Sequence, residues 1–267
     1  DAARKQELKV SSPNNLREGS YALDAIRRDL KRILEEENIL DGGLIIETTI
    51  DPNIQELAER SMEKRLAQVE QRRGFPHQKR SQWNGRGAPN YLQGATVVID
   101  NETGGVLAIV GGRNANESQF NRALQSERQI GSVFKPFMFL AAFNQGVKAY
   151  DTISDAPIRP GELRGANPNW NPANSDGKYY LEIPVRRSLV ESRNTSAIRV
   201  AAKAGMENIV TVARSSGFNV SNIPLVPSSF LGSWGASAEA VASAYTIFPN
   251  GGTRFRPYYI QTIKDRS

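Results

Sequence analysis

An apolar helix with a serine and a lysine at its start is the feature that most constrains this chain. The longest purely apolar run is FMFLAAF, residues 137–143, within the stretch RQIGSVFKPFMFLAAFNQG, residues 128–146. Pro136 lacks an N–H and is tolerated best in the first turn of a helix, and Gly131 permits a sharp change of direction before it. These two residues therefore predict that Ser132 lies at or beside the helix start.

Lys135 follows the serine by three residues and is expected over the same face of the helix. A lysine at a helix N-terminus, backed by Phe134, Phe137 and Phe139, has its pKa lowered by burial and by the helix dipole. A neutral amine can accept the proton of the Ser132 hydroxyl, and the Ser132 N–H can help to hold an oxyanion. The alternative is an ordinary polar helix start, with the serine as N-cap and a solvated lysine.

The rest of the composition restricts the chemistry further. The 267 residues are enough for one large domain or two small ones. Cysteine is absent, which excludes disulfides and thiolate metal sites, and the single histidine, His77, excludes zinc sites built on several histidines. A Ser-His-Asp triad would have to use His77, so a serine nucleophile is expected to have another base. The net charge of +6 comes without a dense basic stripe, so we predict no nucleic-acid partner, and no cofactor or metal.

Hydrophobic periodicity predicts a mixed α/β (α+β) fold, in which helices pack on an antiparallel sheet. Asp51 is expected to cap a helix that begins at Pro52. Residues 73–93 read as an exposed loop, and residues 150–183 as a long irregular segment of the functional or mobile kind. The predicted helices are 20–37, 52–72, 184–191, 195–204, 206–216 and 236–248. The predicted strands are 44–50, 94–100, 106–112 and one that starts in RFRPYYIQTI, near the end of the chain.

A second polar cluster lies in the stretch VESRNTSAIRVA, residues 190–201, where Ser192, Arg193 and Asn194 separate two predicted helices. One interpretation is a helix N-cap, supplied by Asn194 or Thr195. The other is functional, because Ser-x-Asn downstream of Ser-x-x-Lys is a pairing typical of penicillin-interacting enzymes.

Five longer segments occur in a fixed order around these motifs. They are GGLIIETTIDPNIQELAERSM, GATVVIDNETGGVLAIVGGRN, QFNRALQSERQIGSVFKPF, WNPANSDGKYYLEIPVRRSLVESRNTSAIRVA and AVASAYTIFPNGGTRFRPYYI. Together with the motifs they resemble the transpeptidase domain of class A penicillin-binding proteins over most of the chain. The resemblance implies the penicillin-binding-protein/β-lactamase-like fold, with an antiparallel sheet flanked by helices and incomplete at the C-terminus.

The resemblance also implies a role for each motif residue. Ser132 would be the acylated nucleophile and Lys135 the base that takes its proton. Ser192 would relay a proton to the leaving amine, and Asn194 would bind the substrate amide and steady Lys135. The implied reaction is D,D-transpeptidation of peptidoglycan stem peptides, with D-Ala-D-Ala as donor and the amine of a neighbouring stem as acceptor. β-Lactams would trap Ser132 by imitating the first step.

The family's third motif, Lys-Thr/Ser-Gly, is missing from the sequence. We interpret residues 1–43 as a linker region that follows an absent glycosyltransferase domain, and residues 44–267 as a partial transpeptidase domain truncated before that motif. We therefore expect the isolated polypeptide to be inactive or nearly so. The resemblance implies an extracytoplasmic location on the bacterial inner membrane, through an upstream anchor outside this sequence, with other cell-wall synthesis proteins as candidate partners.

Two alternative functions remain open from the sequence. A D,D-carboxypeptidase or serine β-lactamase shares the Ser-x-x-Lys core but transfers the acyl group to water. A non-catalytic transpeptidase-like scaffold or wall-binding module would explain the missing third motif, although it would not need all four motif side chains.

Overall fold

Helices and short strands alternate along the chain, as the hydrophobic periodicity predicts. The computed structural model describes residues 19–37, 43–167 and 169–264, so most of the predicted linker region, residues 1–43, lies outside the described residues. The described helices are α1 Tyr21–Glu37, α2 Pro52–Glu70, α3 Arg122–Gln125, α4 Lys135–Asn144, α5 Val185–Val190, α6 Thr195–Ala204, α7 Met206–Ser215 and α8 Ala238–Tyr245.

The strands of the described residues are short and pair two by two, each pair antiparallel. The strands are β1 Ile45–Thr48, β2 Thr96–Ile99, β3 Val106–Val110, β4 Arg128–Gln129, β5 Thr152–Ser154, β6 Glu182–Pro184, β7 Gly235–Ala236 and β8 Ile260–Lys264. They form the two-stranded sheets β1–β8, β2–β3, β4–β7 and β5–β6. The mixed helix-and-sheet fold class is confirmed, and the predicted hairpin is the pair β2–β3.

The start of α2 follows from its sequence. The Asp51 side chain accepts hydrogen bonds from the N–H groups of Asn53, at 2.8 Å, and Ile54, at 3.1 Å, and Pro52 is the first helical residue. An aspartate cap followed by proline satisfies N–H groups that would otherwise lack partners and presets the backbone of the first turn. The predicted cap is therefore confirmed, although the helix ends at Glu70 rather than near residue 72.

The chain forms two compact units. Among the described residues, the first comprises 19–37, 43–100, 105–124 and 257–264, and the second comprises 101–104, 125–167 and 169–256. In the first unit, Val106, Ile109 and Tyr259 belong to a small apolar core. Gln55 of α2 and Ile109 of β3 exchange two hydrogen bonds, of 3.0 and 2.8 Å, which attach the helix to the hairpin.

The second unit is built around α4. This helix is apolar on nearly all sides, as expected of a helix packed within a core. Its Phe137, Met138 and Phe139 side chains are fully buried. Helices α6 and α7 pack against it. The serine and lysine of the first motif thus lie at the start of a largely buried helix. No helix of the described residues is long and apolar enough to cross a membrane.

Two loop predictions need correction. The segment 73–93 is mostly exposed, but Tyr91 is buried and residues Arg80–Gln82 form a 3-10 turn, because side chains of this segment join an ion-pair cluster. The segment 150–183 is not simply irregular, because it starts with β5 and contains the buried polar residues Asp155 and Asn174. Both segments are ordered by polar contacts that hydrophobic periodicity does not detect.

Candidate active site

Close contact between two glycines determines where Ser132 lies. Residues Gly131–Phe134 form a 3-10 turn that leads directly into α4. Gly131 has a φ of +54° and its N–H donates to the Gly232 carbonyl at 2.9 Å. A Cβ on Gly232 would lie 2.3 Å from the Gly131 carbonyl oxygen, so only glycine fits there. The sequence analysis found Gly131 but missed Gly232, whose role depends on a contact distant in sequence.

Aromatic packing fixes the rest of this turn. Phe134 is buried against Trp234, with ring centroids 5.0 Å apart, and against Phe137, at 6.0 Å. The Tyr245 hydroxyl donates to the Val133 carbonyl at 2.6 Å. The side chain of Phe134 therefore holds the turn against the core while the Ser132 side chain remains exposed. An exposed hydroxyl on a rigid turn is accessible to a substrate.

Lys135 is the buried centre of the site. The residue is 1% exposed, and its Nζ donates to the carbonyl oxygens of Ser192, at 2.7 Å, and Arg193, at 2.8 Å, and to Asn194 Oδ1, at 2.8 Å. The Ser192 hydroxyl lies 3.2 Å from the same nitrogen. The structure thus brings the lysine of the first motif together with all three residues of the second. No hydrogen bond of the described residues joins the Ser132 hydroxyl to the lysine amine.

The charge state of this lysine follows from its surroundings. Burial lowers the pKa of Lys135 to about 8, and the positive charge of Arg193 acts in the same direction. The neutral oxygens around Nζ favour the ammonium form, but they carry no full negative charge, so desolvation outweighs them. With a pKa of about 8, about a tenth of the molecules carry a neutral amine at pH 7. A free amine in this fraction can act as a base.

The backbone of Ser192 is unusual. Its φ is +52°, and no other non-glycine residue of the described chain has a positive φ. The left-handed conformation costs an L-residue roughly 1–2 kcal/mol and persists only where neighbouring contacts hold it. In this conformation the carbonyls of Ser192 and Arg193 both face the lysine amine. Sequence reasoning offered no signal for this strain, since serine has no preference for positive φ.

The capping interpretation of the second motif is wrong for the Asn194 side chain. Asn194 does precede α6, but its side chain makes no capping hydrogen bond. Its Oδ1 accepts from Lys135, and its Nδ2 donates to the Ala173 carbonyl at 2.7 Å. The asparagine therefore connects the lysine to the segment 150–183.

Two further polar residues of this region were missed. Asp155 and Asn174 are buried beneath the second motif, and Arg193 Nη2 donates to Asp155 Oδ2 at 2.7 Å. The available signal was Arg193 itself, because a buried arginine requires an acceptor. Arg193 is the middle residue of Ser-x-Asn, and the motif directs attention only to Ser192 and Asn194 on either side of it.

Sequence comparison relates the chain to one family of proteins. The family described as penicillin binding protein transpeptidase domain matches residues 94–267. Penicillin-binding protein 1A of Neisseria gonorrhoeae is 42% identical over 178 residues, which cover 66% of this chain and 22% of that protein. The namesake protein of Rickettsia bellii is 39% identical over 176 residues, again covering 66% and 22%. The chain thus spans about a fifth of the length of the curated relatives it matches.

Solved structures show the same fold. Penicillin-binding protein 1A from Haemophilus influenzae aligns with a TM-score of 0.77 at 22% identity, covering 92% of this chain and 48% of that one. The PonA1 protein from Mycobacterium tuberculosis, in complex with penicillin V, aligns with a TM-score of 0.69 at 26% identity, covering 92% and 62%.

Proposed function

Because the chain belongs to the penicillin binding protein transpeptidase domain family, we propose that it carries a serine D,D-transpeptidase site that cross-links peptidoglycan and is trapped by β-lactams. The observation that carries this proposal is the buried Lys135 amine, which faces Ser192 and Asn194 at the base of the turn that bears Ser132. A buried lysine with a lowered pKa beside a serine is the arrangement that activates a hydroxyl.

The first half of the reaction forms an acyl-enzyme. The Ser132 oxygen attacks the carbonyl carbon of the D-Ala-D-Ala peptide bond, and the neutral Lys135 amine takes the hydroxyl proton. The Ser132 N–H helps to hold the oxyanion that develops. Ser192, hydrogen-bonded to the lysine, relays a proton to the departing amine, so D-Ala leaves and an ester to Ser132 remains.

The second half transfers the acyl group. The amine of a neighbouring stem peptide attacks the ester, the Ser132 oxygen leaves and regains a proton, and a new peptide bond joins the two stems. Asn194 has one amide oxygen on Lys135, and we assign it to orienting both that lysine and the substrate amide. A β-lactam undergoes only the first half, because its ring-opened acyl group stays attached to the serine.

The domain and location proposals follow from the same family. We propose that residues 44–267 belong to the transpeptidase domain and residues 1–43 to a linker region. The site would work on the extracytoplasmic face of the bacterial inner membrane, where the D-Ala-D-Ala stem peptides and their amine acceptors are found. Other cell-wall synthesis proteins are the partners we expect.

Mass spectrometry of the intact protein that carries this sequence tests the nucleophile. Incubation with a fluorescent penicillin is expected to give one covalent adduct on the peptide containing Ser132, and Ser132→Ala should abolish it. Ser221→Ala is the matched control, because Ser221 is also an exposed serine within a 3-10 turn of the second unit, and its labelling should equal wild type. An adduct that survives in Ser132→Ala would overturn the assignment.

Product analysis tests transfer against hydrolysis. With a D-Ala-D-Ala stem peptide and an amine acceptor, the intact protein is expected to release D-Ala and form the cross-linked product. Release of D-Ala with only the shortened, hydrolysed stem would instead assign a carboxypeptidase. Rapid turnover of the penicillin adduct would assign a β-lactamase.

A further inference from the structure

A buried carboxylate lies beneath the turn formed by Ser192–Asn194. Asp155 is 0% exposed, and its Oδ2 accepts hydrogen bonds from Arg193 Nε, at 3.0 Å, and Nη2, at 2.7 Å. Its other oxygen accepts from the hydroxyls of Thr195, at 2.8 Å, and Ser196, at 3.1 Å. Both carboxylate oxygens are therefore occupied by the second motif and the first turn of α6.

Asn174 extends this network to the backbone of the motif. Its Nδ2 lies 3.2 Å from both oxygens of Asp155, and its Oδ1 accepts from the N–H groups of Asn194, at 2.7 Å, and Thr195, at 3.2 Å. The asparagine is 4% exposed, and both ends of its amide group are hydrogen-bonded within the protein. Asp155 is thus connected through Asn174 to Asn194, whose side chain binds Lys135.

Arg193 connects the same carboxylate to the lysine directly. Its guanidinium is fixed by Asp155 from one side and by Asp176, at 2.8 Å, from the other. Its carbonyl oxygen accepts from Lys135 Nζ at 2.8 Å. One residue therefore has its side chain anchored in the network and its backbone on the lysine amine.

The energetics argue for a role beyond stability. A buried ion pair costs several kcal/mol of desolvation per ion and is often no more stabilising than apolar residues of the same volume. Arg193 of this pair directly follows Ser192, whose φ is +52°, so the contribution expected of the pair is geometric. Without that restraint the turn is expected to relax toward a negative φ, and the two carbonyls would no longer converge on Lys135.

We propose that Asp155 is a positioning residue for the site: through Arg193 and Asn174 it holds the Ser192–Asn194 turn so that its oxygens converge on the lysine amine. This inference rests on the proposed function and deepens it by adding a residue that supports the site. The Asp155 carboxylate touches neither Ser132 nor a substrate in that mechanism. Asp155 acts only through the residues that contact Lys135.

A second ion pair of the same region serves as the matched control. Arg199 of α6 binds Glu162 at 2.6 Å and also donates to the carbonyls of Ser154 and Ala156. This pair attaches the segment 150–183 to α6, as the Asp155–Arg193 pair does. None of the hydrogen bonds of the described residues joins Arg199 or Glu162 to the Ser192–Asn194 turn. Glu162→Gln removes the ion pair and leaves Arg199 its contacts with the two carbonyls that flank Asp155, so it reports on the attachment to α6.

The test measures acylation of the intact protein by a fluorescent penicillin, with binding separated from chemistry. Asp155→Asn is expected to lower the limiting acylation rate constant by about 10- to 100-fold, because a misplaced base is inefficient even when the substrate is bound. The dissociation constant before acylation should change by less than about threefold. Glu162→Gln should leave both constants near those of wild type, when each is expressed per folded molecule.

The pKa of Lys135 supplies a second readout, because a general loosening of the site would admit water and raise this pKa rather than lower it. The charged groups near Lys135 are Arg193 and the two carboxylates that bind Arg193, those of Asp155 and Asp176. Asp155→Asn removes the buried negative charge and leaves the Arg193 charge less neutralised, so the pKa of Lys135 should fall further. Titration of the lysine side chain by 13C NMR measures this directly and needs no acylation.

Arg193→Lys keeps the charge but loses the paired contact with Asp155, so it carries the test if Asp155→Asn does not fold. Acylation should again slow at least tenfold, with little change in the Lys135 pKa. The proposal is overturned if Asp155→Asn acylates as fast as Glu162→Gln or, where Asp155→Asn does not fold, if Arg193→Lys does. Absence of any Ser132 adduct in wild type would instead refute the proposed function, while the NMR titration would still judge the positioning role.

Discussion

Arg113 of the first unit and Lys135 of the second are both buried cations, and the charges around them are opposite in kind. In the first unit the Arg113 side chain is 2% exposed and binds both oxygens of Glu63, at 2.8 and 2.6 Å, and Glu70, at 2.6 Å. Its hydrogen bonds to Glu63 raise the pKa of Arg113 further above its usual range. Both carboxylates that bind this guanidinium, Glu63 and Glu70, stabilise its charged form.

In the second unit Lys135 is equally buried, but within the part of the chain that the structure describes no carboxylate is among its hydrogen-bond partners. Neutral oxygens surround its nitrogen, and the nearby charge is the like charge of Arg193. Burial lowers the pKa of this lysine to about 8. A buried cation that is fully neutralised supports structure, whereas one left without a counter-ion is prepared to lose its proton, which is the property of a catalytic base.

The largest expected effect tests the base. Lys135→Arg keeps a positive charge but cannot be deprotonated, so acylation by penicillin should slow roughly 1,000-fold, within the range assigned to general-base catalysis. Stopped-flow fluorescence with labelled penicillin measures the rate constant. The matching change in the first unit, Arg113→Lys, should leave the rate per folded molecule within about twofold. A Lys135→Arg protein with more than a tenth of wild-type activity would remove the contrast between the two cations.

The next effect tests the structural cation. Arg113→Met leaves Glu63 and Glu70 without their shared partner, and such a loss of one member of a buried ion pair costs about 3 kcal/mol of unfolding free energy. Lys135→Met removes a charge that has no counter-ion and leaves only neutral acceptors without their donor, so it should cost less. Urea unfolding of both variants gives the comparison, and equal or reversed losses would show that the two cations are held alike.

The smallest effect concerns the strained turn beside Lys135. Ser192→Ala and Ser192→Gly both remove the hydroxyl, and both should slow acylation by about 10- to 100-fold, since a proton relay is lost. Only glycine adopts a φ of +52° without strain, so Ser192→Gly should be about 0.5–1 kcal/mol more stable than Ser192→Ala. Thermal unfolding measures the difference, and an alanine variant at least as stable as the glycine variant would argue against strain at this position.

Much of the fold could be predicted because it depends on local signals. The aspartate cap and proline of α2 and the glycine and proline around Ser132 each act within a few residues. Periodic apolar residues likewise located most of the helices and the hairpin β2–β3. The two motifs drew attention to Lys135, Ser192 and Asn194 for the same reason, since their spacing is short. The structure places the three in hydrogen-bond contact, and their catalytic roles stay a prediction.

The supporting residues could not be predicted because their roles depend on partners far along the chain. Asp155 is one acidic residue among many until Arg193, 38 positions later, is known to bind it. Gly232 must be glycine because the Gly131 backbone approaches it, and Tyr91 is buried with the Arg113 guanidinium over its ring, at 5.4 Å. A sequence without an alignment gives no measure of such pairings.

The pH dependence of acylation tests the central claim most directly, because it reports whether Lys135 must lose its proton. The base acts in its neutral form, so the rate constant for acylation of the intact protein should rise with pH and reach half of its maximum near pH 8. At pH 7 it should be about a tenth of the plateau value. A rate constant that is level between pH 6 and 9, or one that rises only near the ordinary lysine value of 10.5, would contradict the account.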